Sequence, residues 1–189
     1  MNWIDSFTSQ NKPIVALAPM DGYCDSAFRA ICRTVAPEIV VFSEFYSADG
    51  LHHNPLLAKR VHTHDPIEHP LVFQIFGNTP EIFLSAGKII ESYGAQGVDI
   101  NMGCPDKNVM KQGAGAKLMQ DPALARSLVA AAKEGVEGKI PVSVKTRIGF
   151  NKDELDVWLP ELLSERPAAI TVHARTKKEM SLVPARWEY

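Results

Sequence analysis

Six polar side chains lie within or directly after short apolar runs that have the composition of β-strands. Amide, ammonium, guanidinium and imidazole groups can bind a polar or anionic ligand, and charges buried without partners are costly. The pattern therefore favours a ligand site over packing, with water-exposed strand ends as the alternative. The six residues are Gln74, Asn101, Lys145, Arg147, His173 and Arg175.

Cys104 follows the fourth of these runs, between Gly103 and Pro105, and opens a long glycine-containing loop. An unperturbed thiol has a pKa of about 8.5, so at neutral pH it is mainly protonated and can act as an acid. The alternative is a small buried core residue, which is the common fate of a free cysteine. Cys24 and Cys32 are eight residues apart in the first helical pattern, where packing is favoured.

The elements that would position these groups alternate between strand and helix. Helices are predicted to start at Thr79-Pro80, at Asp121-Pro122, and at Asn151 with a capping-box Glu154. Alternation of this kind predicts a parallel sheet covered by helices. Strands are predicted over residues 13–18, 39–43, 71–76, 98–101, 142–147 and 169–173.

The fold class is predicted to be a TIM (β/α)8 barrel, truncated after about six β/α units. The turn after the first strand lacks the G-x-G-x-x-G of an open dinucleotide-binding sheet. A barrel uses about 31 residues per unit, so 189 residues hold about six. If the apolar strand faces pack on the helices, the polar residues point inward at the mouth formed by the strands' C-terminal ends. Residues 44–68 and 105–120 are expected to be long loops.

The overall composition limits the classes of function. The net charge of −2 argues against non-specific coating of nucleic acid. Neither a secretion signal nor a membrane span is expected, which favours a cytoplasmic protein. No metal site is expected, because the cysteines lack a C-x-x-C spacing and the clustered histidines lack a ligand motif. Those histidines are His52, His53, His62, His64 and His69.

The block DINMGCPDKNV, residues 99–109, resembles the tRNA-dihydrouridine synthase family. Other blocks agree in order and spacing, so the resemblance runs nearly end to end. They are LAPMDGYCDSAFR (17–29), SEF (43–45), QIFGNTPE (74–81), GAGAKLMQDP (113–122), PVSVKTRIG (141–149) and ITVHARTKKEM (170–180).

The resemblance implies an FMN-binding barrel that reduces uridine in tRNA to 5,6-dihydrouridine, with NADPH as the electron donor. Hydride would pass to uracil C6, and Cys104 would protonate C5. Flavin contacts would come from the backbone of Pro19 and Met20 and from the side chains of Gln74, Lys145 and His173. Asn101, Arg147 and Arg175 would meet the substrate base or RNA phosphate.

The resemblance also sets expected boundaries. Residues 1–189 would form an incomplete catalytic domain, without the last two strands and the C-terminal helical domain that helps to hold tRNA. The fragment alone would then bind flavin poorly, because such barrels commonly hold phosphate after strands seven and eight. Two alternatives stay open: a dihydroorotate or dihydropyrimidine dehydrogenase-like flavoenzyme, and a catalytically inactive RNA-binding barrel fragment.

Overall fold

The computed structural model describes residues 2–188, and side chains except those of residues 60–62. Its six strands form one parallel sheet in which each strand pairs with the next in the sequence. This order and the helices between the strands confirm a (β/α)8-type barrel of about six units, curled but not closed. The strands are β1 (Ala16–Leu17), β2 (Val40–Ser47), β3 (Leu71–Phe76), β4 (Gly97–Met102), β5 (Val142–Arg147) and β6 (Ala169–His173).

Eight α-helices lie along the described residues. Two of the three predicted helix starts are confirmed, since α5 begins at Pro80 and α7 begins at Pro122, where Asp121 accepts from the backbone N–H of Leu124. The helices are α1 (Trp3–Thr8), α2 (Ser26–Val35), α3 (Ala48–His53), α4 (Pro55–His62), α5 (Pro80–Ser92), α6 (Lys107–Lys111), α7 (Pro122–Gly135) and α8 (Leu155–Ser164).

The predicted capping box at Asn151 and Glu154 is wrong. Helix α8 begins only at Leu155, and Glu154 is its N-cap residue, without a side-chain cap. The Glu154 carboxylate instead accepts from the backbone N–H of Phe150, and its own N–H donates to the Ile148 carbonyl. These bonds hold residues 148–154 as a tight turn after β5, so helix α8 begins later in the sequence than predicted.

The two predicted loops are also more ordered than expected. Strand β2 continues to Ser47, whose hydroxyl accepts from the backbone N–H of Gly50 and caps α3. Helix α4 and a short 3-10 helix, Pro66–Glu68, follow. After β4, helix α6 and a second 3-10 helix, Gly115–Gln120, occupy much of the other predicted loop.

The outer face of the sheet forms the main core. Val98 and Val144 on this face are fully buried with Phe83 of α5 and Leu128 of α7. Burying a large apolar side chain contributes about 1.5–3 kcal/mol relative to exposure. Thr146, the polar member of this face, accepts a 2.8 Å hydrogen bond from Trp158 Nε1 of α8. The apolar strand faces therefore pack on the helices, as predicted.

The inner face has an apolar layer at one end and a polar layer at the other. Trp3 of α1 packs edge-on against Phe42, beside Val40 and Val72, close to the N-terminal ends of β2 and β3. Gly97, the first residue of β4, lies against the Trp3 indole, where a Cβ would be 3.0 Å from Nε1. The apolar layer therefore lies near the N-terminal ends of the strands, whereas Gln74, Asn101 and Lys145 lie closer to their C-terminal ends.

Candidate functional site

The inward-facing polar residues converge on one cleft at the C-terminal ends of the strands. Its volume is about 290 Å³, near the lower end of small-molecule sites, which start at about 300 Å³. Apolar groups from the turn after β1 and from β2 form one part of its lining, and polar groups from β3 to β6 form another. The lining comprises Ala18, Pro19, Met20, Phe45, Gln74, Asn101, Gly103, Cys104, Pro105, Lys145, Arg147 and His173.

Cys104 is partly exposed at this cleft, and both of its peptide groups are fixed. Its N–H donates to Asn101 Oδ1 at 2.8 Å, and its carbonyl accepts from the N–H of Ala116 at 2.9 Å. Burial raises the pKa of the Cys104 thiol above its ordinary value. The thiol is therefore protonated at neutral pH, which suits a proton donor better than a nucleophile.

Two glycines explain how the segment around the thiol can pack. Gly115 has φ +60°, and a Cβ there would lie 2.8 Å from the Cys104 carbonyl oxygen. A Cβ on Gly103 would lie 3.2 Å from the carbonyl carbon of Thr146. A side chain at position 103 would therefore crowd the end of β5, a reason for glycine that the sequence alone did not show.

Lys145 carries a cation on the inner face of β5. Its ammonium group makes no hydrogen bond or ion pair with any residue that the structure describes. Burial lowers its pKa, whereas the nearby Asp99 carboxylate raises it. A partly buried cation without a direct partner is costly, so an anionic or electron-rich ligand would compensate for its desolvation.

His173 lies at the end of β6 and lines the same cleft. Burial, together with the positive charges of Arg147, Lys145 and Arg175, lowers its pKa to about 4. The imidazole is therefore neutral at physiological pH. Its Nε2 lies 3.2 Å from Arg175 Nη1, and since a guanidinium can only donate, Nε2 accepts and Nδ1 carries the hydrogen.

The two arginines have different places. Arg147 lines the cleft, but its Nε donates to the Gly103 carbonyl and its Nη1 to the carbonyls of Thr176 and Met180. It therefore ties the segment after β6 to the end of β4. Arg175 does not line this cleft. It borders a neighbouring groove beside β6, and its buried Nε has no partner among the described residues.

Asp99 and Ser143 were missed as site residues. Both are buried on the inner face, and Asp99 accepts from Ser143 Oγ at 2.6 Å and from Gln74 Nε2 at 2.7 Å. Burial raises the pKa of Asp99 to about 6, against these hydrogen bonds and Lys145, which lower it. Asp99 is two residues from Asn101 along β4 and therefore lies on the same face, which was the available signal.

Other sequence features lie outside the cleft. Cys24 is buried, and its thiol donates to the Ala18 carbonyl at 3.2 Å. The His64 ring lies tilted against the His69 ring and edge-on to Phe73, and the His62 side chain lies outside the described residues. Within the part of the chain that the structure describes, no three His, Cys, Asp or Glu residues form a metal-binding group. No described helix is long and apolar enough to cross a membrane.

Comparison with known proteins identifies the family. Residues 16–189 match the family model for dihydrouridine synthase (Dus). The chain is 37% identical to a probable tRNA-dihydrouridine synthase of Staphylococcus aureus and 38% identical to probable tRNA-dihydrouridine synthase 2 of Bacillus subtilis, over 94% of this chain and 54% of each relative. It is 34% identical to probable tRNA-dihydrouridine synthase 1 of Synechocystis, over 98% of this chain and 52% of that protein.

The chain thus spans about half the length of the curated relatives it matches. The matched region contains all six strands and the whole lining of the cleft. The chain therefore belongs to the dihydrouridine synthase family.

Proposed function

We propose that the protein reduces uridine in tRNA to 5,6-dihydrouridine, with Cys104 as the proton donor and a flavin as the redox cofactor. The observation that carries this proposal is the placement around one cleft of a protonated thiol, a neutral histidine and a lysine that has no direct partner among the described residues. The names of the relatives supply the substrate class.

The cleft residues fit an FMN ring. Apolar groups of Ala18, Met20 and Phe45 suit the faces of a flat aromatic ligand, whereas the Lys145 ammonium suits the negative charge of the reduced ring. When bound, FMN reduced by NADPH supplies the hydride equivalent. The residues that would hold it are the backbone of Pro19 and Met20 and the side chains of Gln74, Lys145 and His173.

The protein's own contribution is positioning and protonation. Cys104 gives its proton to C5 of the uracil, and its raised pKa keeps that proton in place until the base arrives. A base must swing out of the folded RNA to reach such a cleft. Asn101 and Arg147 line the cleft and are the nearest candidates to meet the base edge, whereas Arg175 would meet RNA outside it.

The relatives extend beyond the matched region, and we propose that such a region holds the flavin phosphate and the body of the tRNA. In this proposal residues 1–189 form an incomplete catalytic domain, and the complete enzyme works in the cytoplasm. Purified residues 1–189 would then bind FMN weakly, as measured by quenching of flavin fluorescence. Tight binding would contradict this part of the proposal.

The test of the reaction is a Cys104→Ala variant of the complete protein on unmodified tRNA, with dihydrouridine measured by mass spectrometry. We expect the rate of product formation to fall by about 10²-fold or more, as for loss of a general acid. NADPH oxidation without tRNA should persist. Cys32→Ala is the matched control, since Cys32 is also a partly exposed free thiol but lies on α2 away from the cleft.

Unchanged product formation by Cys104→Ala would remove the assigned acid. Dihydroorotate or free dihydropyrimidines are offered in parallel, and turnover of these instead of tRNA would overturn the substrate class.

A further inference from the structure

Asp99 is fully buried and hydrogen-bonded to Gln74, a residue of the cleft lining, and the proposed reaction gives Asp99 no task. Its neighbours are the Gln74 amide of β3 and the Ser143 hydroxyl of β5, with Lys145 of β5 as the nearby opposite charge. Burying a carboxylate with mainly neutral donors is costly, as its raised pKa shows. The fold therefore retains a destabilising group next to the site.

Asp99 is the first member of an amide network that it forms with Gln74 and Asn101. Gln74 Nε2 donates to Asp99 Oδ2 at 2.7 Å, and Asn101 Nδ2 donates to Gln74 Oε1 at 2.9 Å. Asn101 Oδ1 in turn accepts from the N–H of Gly103 at 3.1 Å and from that of Cys104 at 2.8 Å. The network thus joins the carboxylate to the backbone that carries the thiol.

The direction of every bond in the amide network is set by its two ends. An ionised carboxylate can only accept a hydrogen bond, and a backbone N–H can only donate one. The Gln74 NH₂ must therefore face Asp99, which turns its oxygen toward the Asn101 NH₂. The Asn101 oxygen is then left facing the Gly103 and Cys104 N–H groups. Each amide has one orientation that satisfies all its partners.

We propose that Asp99 is a positioning residue for Cys104: its acceptor-only carboxylate fixes the orientation of the Gln74 and Asn101 amides, and these hold the Cys104 backbone. The Cys104 carbonyl is held independently by the Ala116 N–H. Together the two restraints fix the peptide on both sides of the thiol. The inference rests on the proposed function only for the role of the Cys104 thiol as an acid. The hydrogen bonds of the amide network are contacts within this chain.

The test reverses one bond of the network and then restores it. Gln74→Glu places a second carboxylate against Asp99, so the network loses its donor and the Cys104 segment loosens. Adding Asp99→Asn restores every pair, because the new NH₂ at position 99 can donate to the carboxylate at position 74 while its oxygen still accepts from Ser143. The readout is the rate of Cys104 alkylation by iodoacetamide, followed by peptide mass spectrometry, which needs neither flavin nor tRNA.

We expect Gln74→Glu to speed alkylation of Cys104 by about fivefold, the equilibrium equivalent of one lost hydrogen bond. The double variant should return to within about twofold of the wild-type rate. The difference in alkylation rate between Gln74→Glu and wild type should become smaller at acidic pH, because the carboxylates at positions 74 and 99 then share a proton. If Gln74→Glu does not fold, the double variant must fold and react at the wild-type rate.

The matched control for the Asp99→Asn change is Glu68→Gln, which also replaces a fully buried carboxylate with an amide. Glu68 lies before β3, away from the cleft lining, and accepts from Ser26, Arg29 and the Asp65 N–H. The Glu68→Gln variant should have a lower free energy of unfolding, but the rate of Cys104 alkylation in its folded state should equal that of wild type.

An unaltered alkylation rate in Gln74→Glu, or no rescue by Asp99→Asn, overturns the positioning role even if the wild-type protein makes dihydrouridine. Conversely, rescue of alkylation in a protein that makes no dihydrouridine supports the positioning role and defeats the proposed function. The two failures are therefore separable.

Discussion

On their outer face, the central strands β3 to β5 bury apolar side chains against α5 and α7, whereas on their inner face they carry amides, a carboxylate and a lysine. The two faces share one backbone and differ only in which residues alternate along it. Outer residues contribute stability through buried area, and inner residues contribute groups that are costly without a ligand. Outer-face substitutions should therefore mainly lower stability, whereas inner-face substitutions should mainly change ligand binding or the pH dependence of stability.

The largest expected effect is on stability, from the outer face. Phe83→Ala removes a fully buried ring of α5 and should lower the free energy of unfolding by about 3–5 kcal/mol. Denaturant unfolding measures the loss. The thiol alkylation rate of the remaining folded protein should match wild type, and a large change in it would show that the faces are coupled.

A buried inner-face group should give a pH-dependent effect. The pKa of Asp99 is raised from 3.8 to about 6, so the folded state holds a proton that the unfolded chain releases between about pH 4 and pH 6. The contribution of Asp99 to the free energy of unfolding is therefore greatest below pH 4. It falls by an amount on the order of 2 kcal/mol as the pH rises to 6. Asp99→Asn should remove this component. Denaturant unfolding of wild type and Asp99→Asn at pH 4, 5 and 6 tests this prediction. The same change in the free energy of unfolding with pH in both proteins would contradict the raised pKa.

Lys145→Met should separate binding from stability. Loss of a charge-assisted contact would weaken FMN binding by the complete protein about tenfold or more. Melting temperature should hold or rise, because burial disfavours the ammonium ion, as its lowered pKa indicates. Flavin titration and thermal melting are measured on the same samples. Lys88→Met, on an outer helix, is the control for loss of a lysine.

The smallest effect is expected at His173, whose imidazole should not change its protonation state near neutral pH. With a pKa of about 4, His173 should remain neutral from about pH 8 down to about pH 5.5. Its imidazole signals in heteronuclear NMR should stay fixed over that range. In Lys145→Met the pKa of His173 should rise, since one of the charges that lower it is gone. A shift of the His173 signals near pH 6.5 in wild type would contradict its neutral state.

The sequence predicted the fold and most of the cleft for physical reasons that are visible in particular residues. Strands β3, β5 and β6 have the predicted bounds, because a buried parallel strand is a short apolar run with clear ends. Inward alternation correctly brought Gln74, Asn101, Lys145 and His173 to one cleft with Cys104. These features depend on local periodicity, which a single sequence contains.

The features that were missed depend on bonds between distant residues or on turns that the alternation does not encode. Glu154 turns to the Phe150 N–H rather than capping a helix, and Arg147 donates to carbonyls in the segment after β6. The partners of Asp99 lie 25 and 44 residues away in the sequence. Arg175 follows the alternation of β6 but the chain turns after His173, which carries it away from the cleft lining.

The segment that begins at Gly115 packs directly against Cys104, because the Ala116 N–H donates to the Cys104 carbonyl at 2.9 Å. A methyl group at position 115 would press directly on the carbonyl next to the thiol. The same segment carries Lys117, and the preceding helix carries Lys111, both open to a polyanion. In the proposed function, an RNA phosphate bound by either lysine would therefore lie on the stretch of chain that packs against the Cys104 backbone.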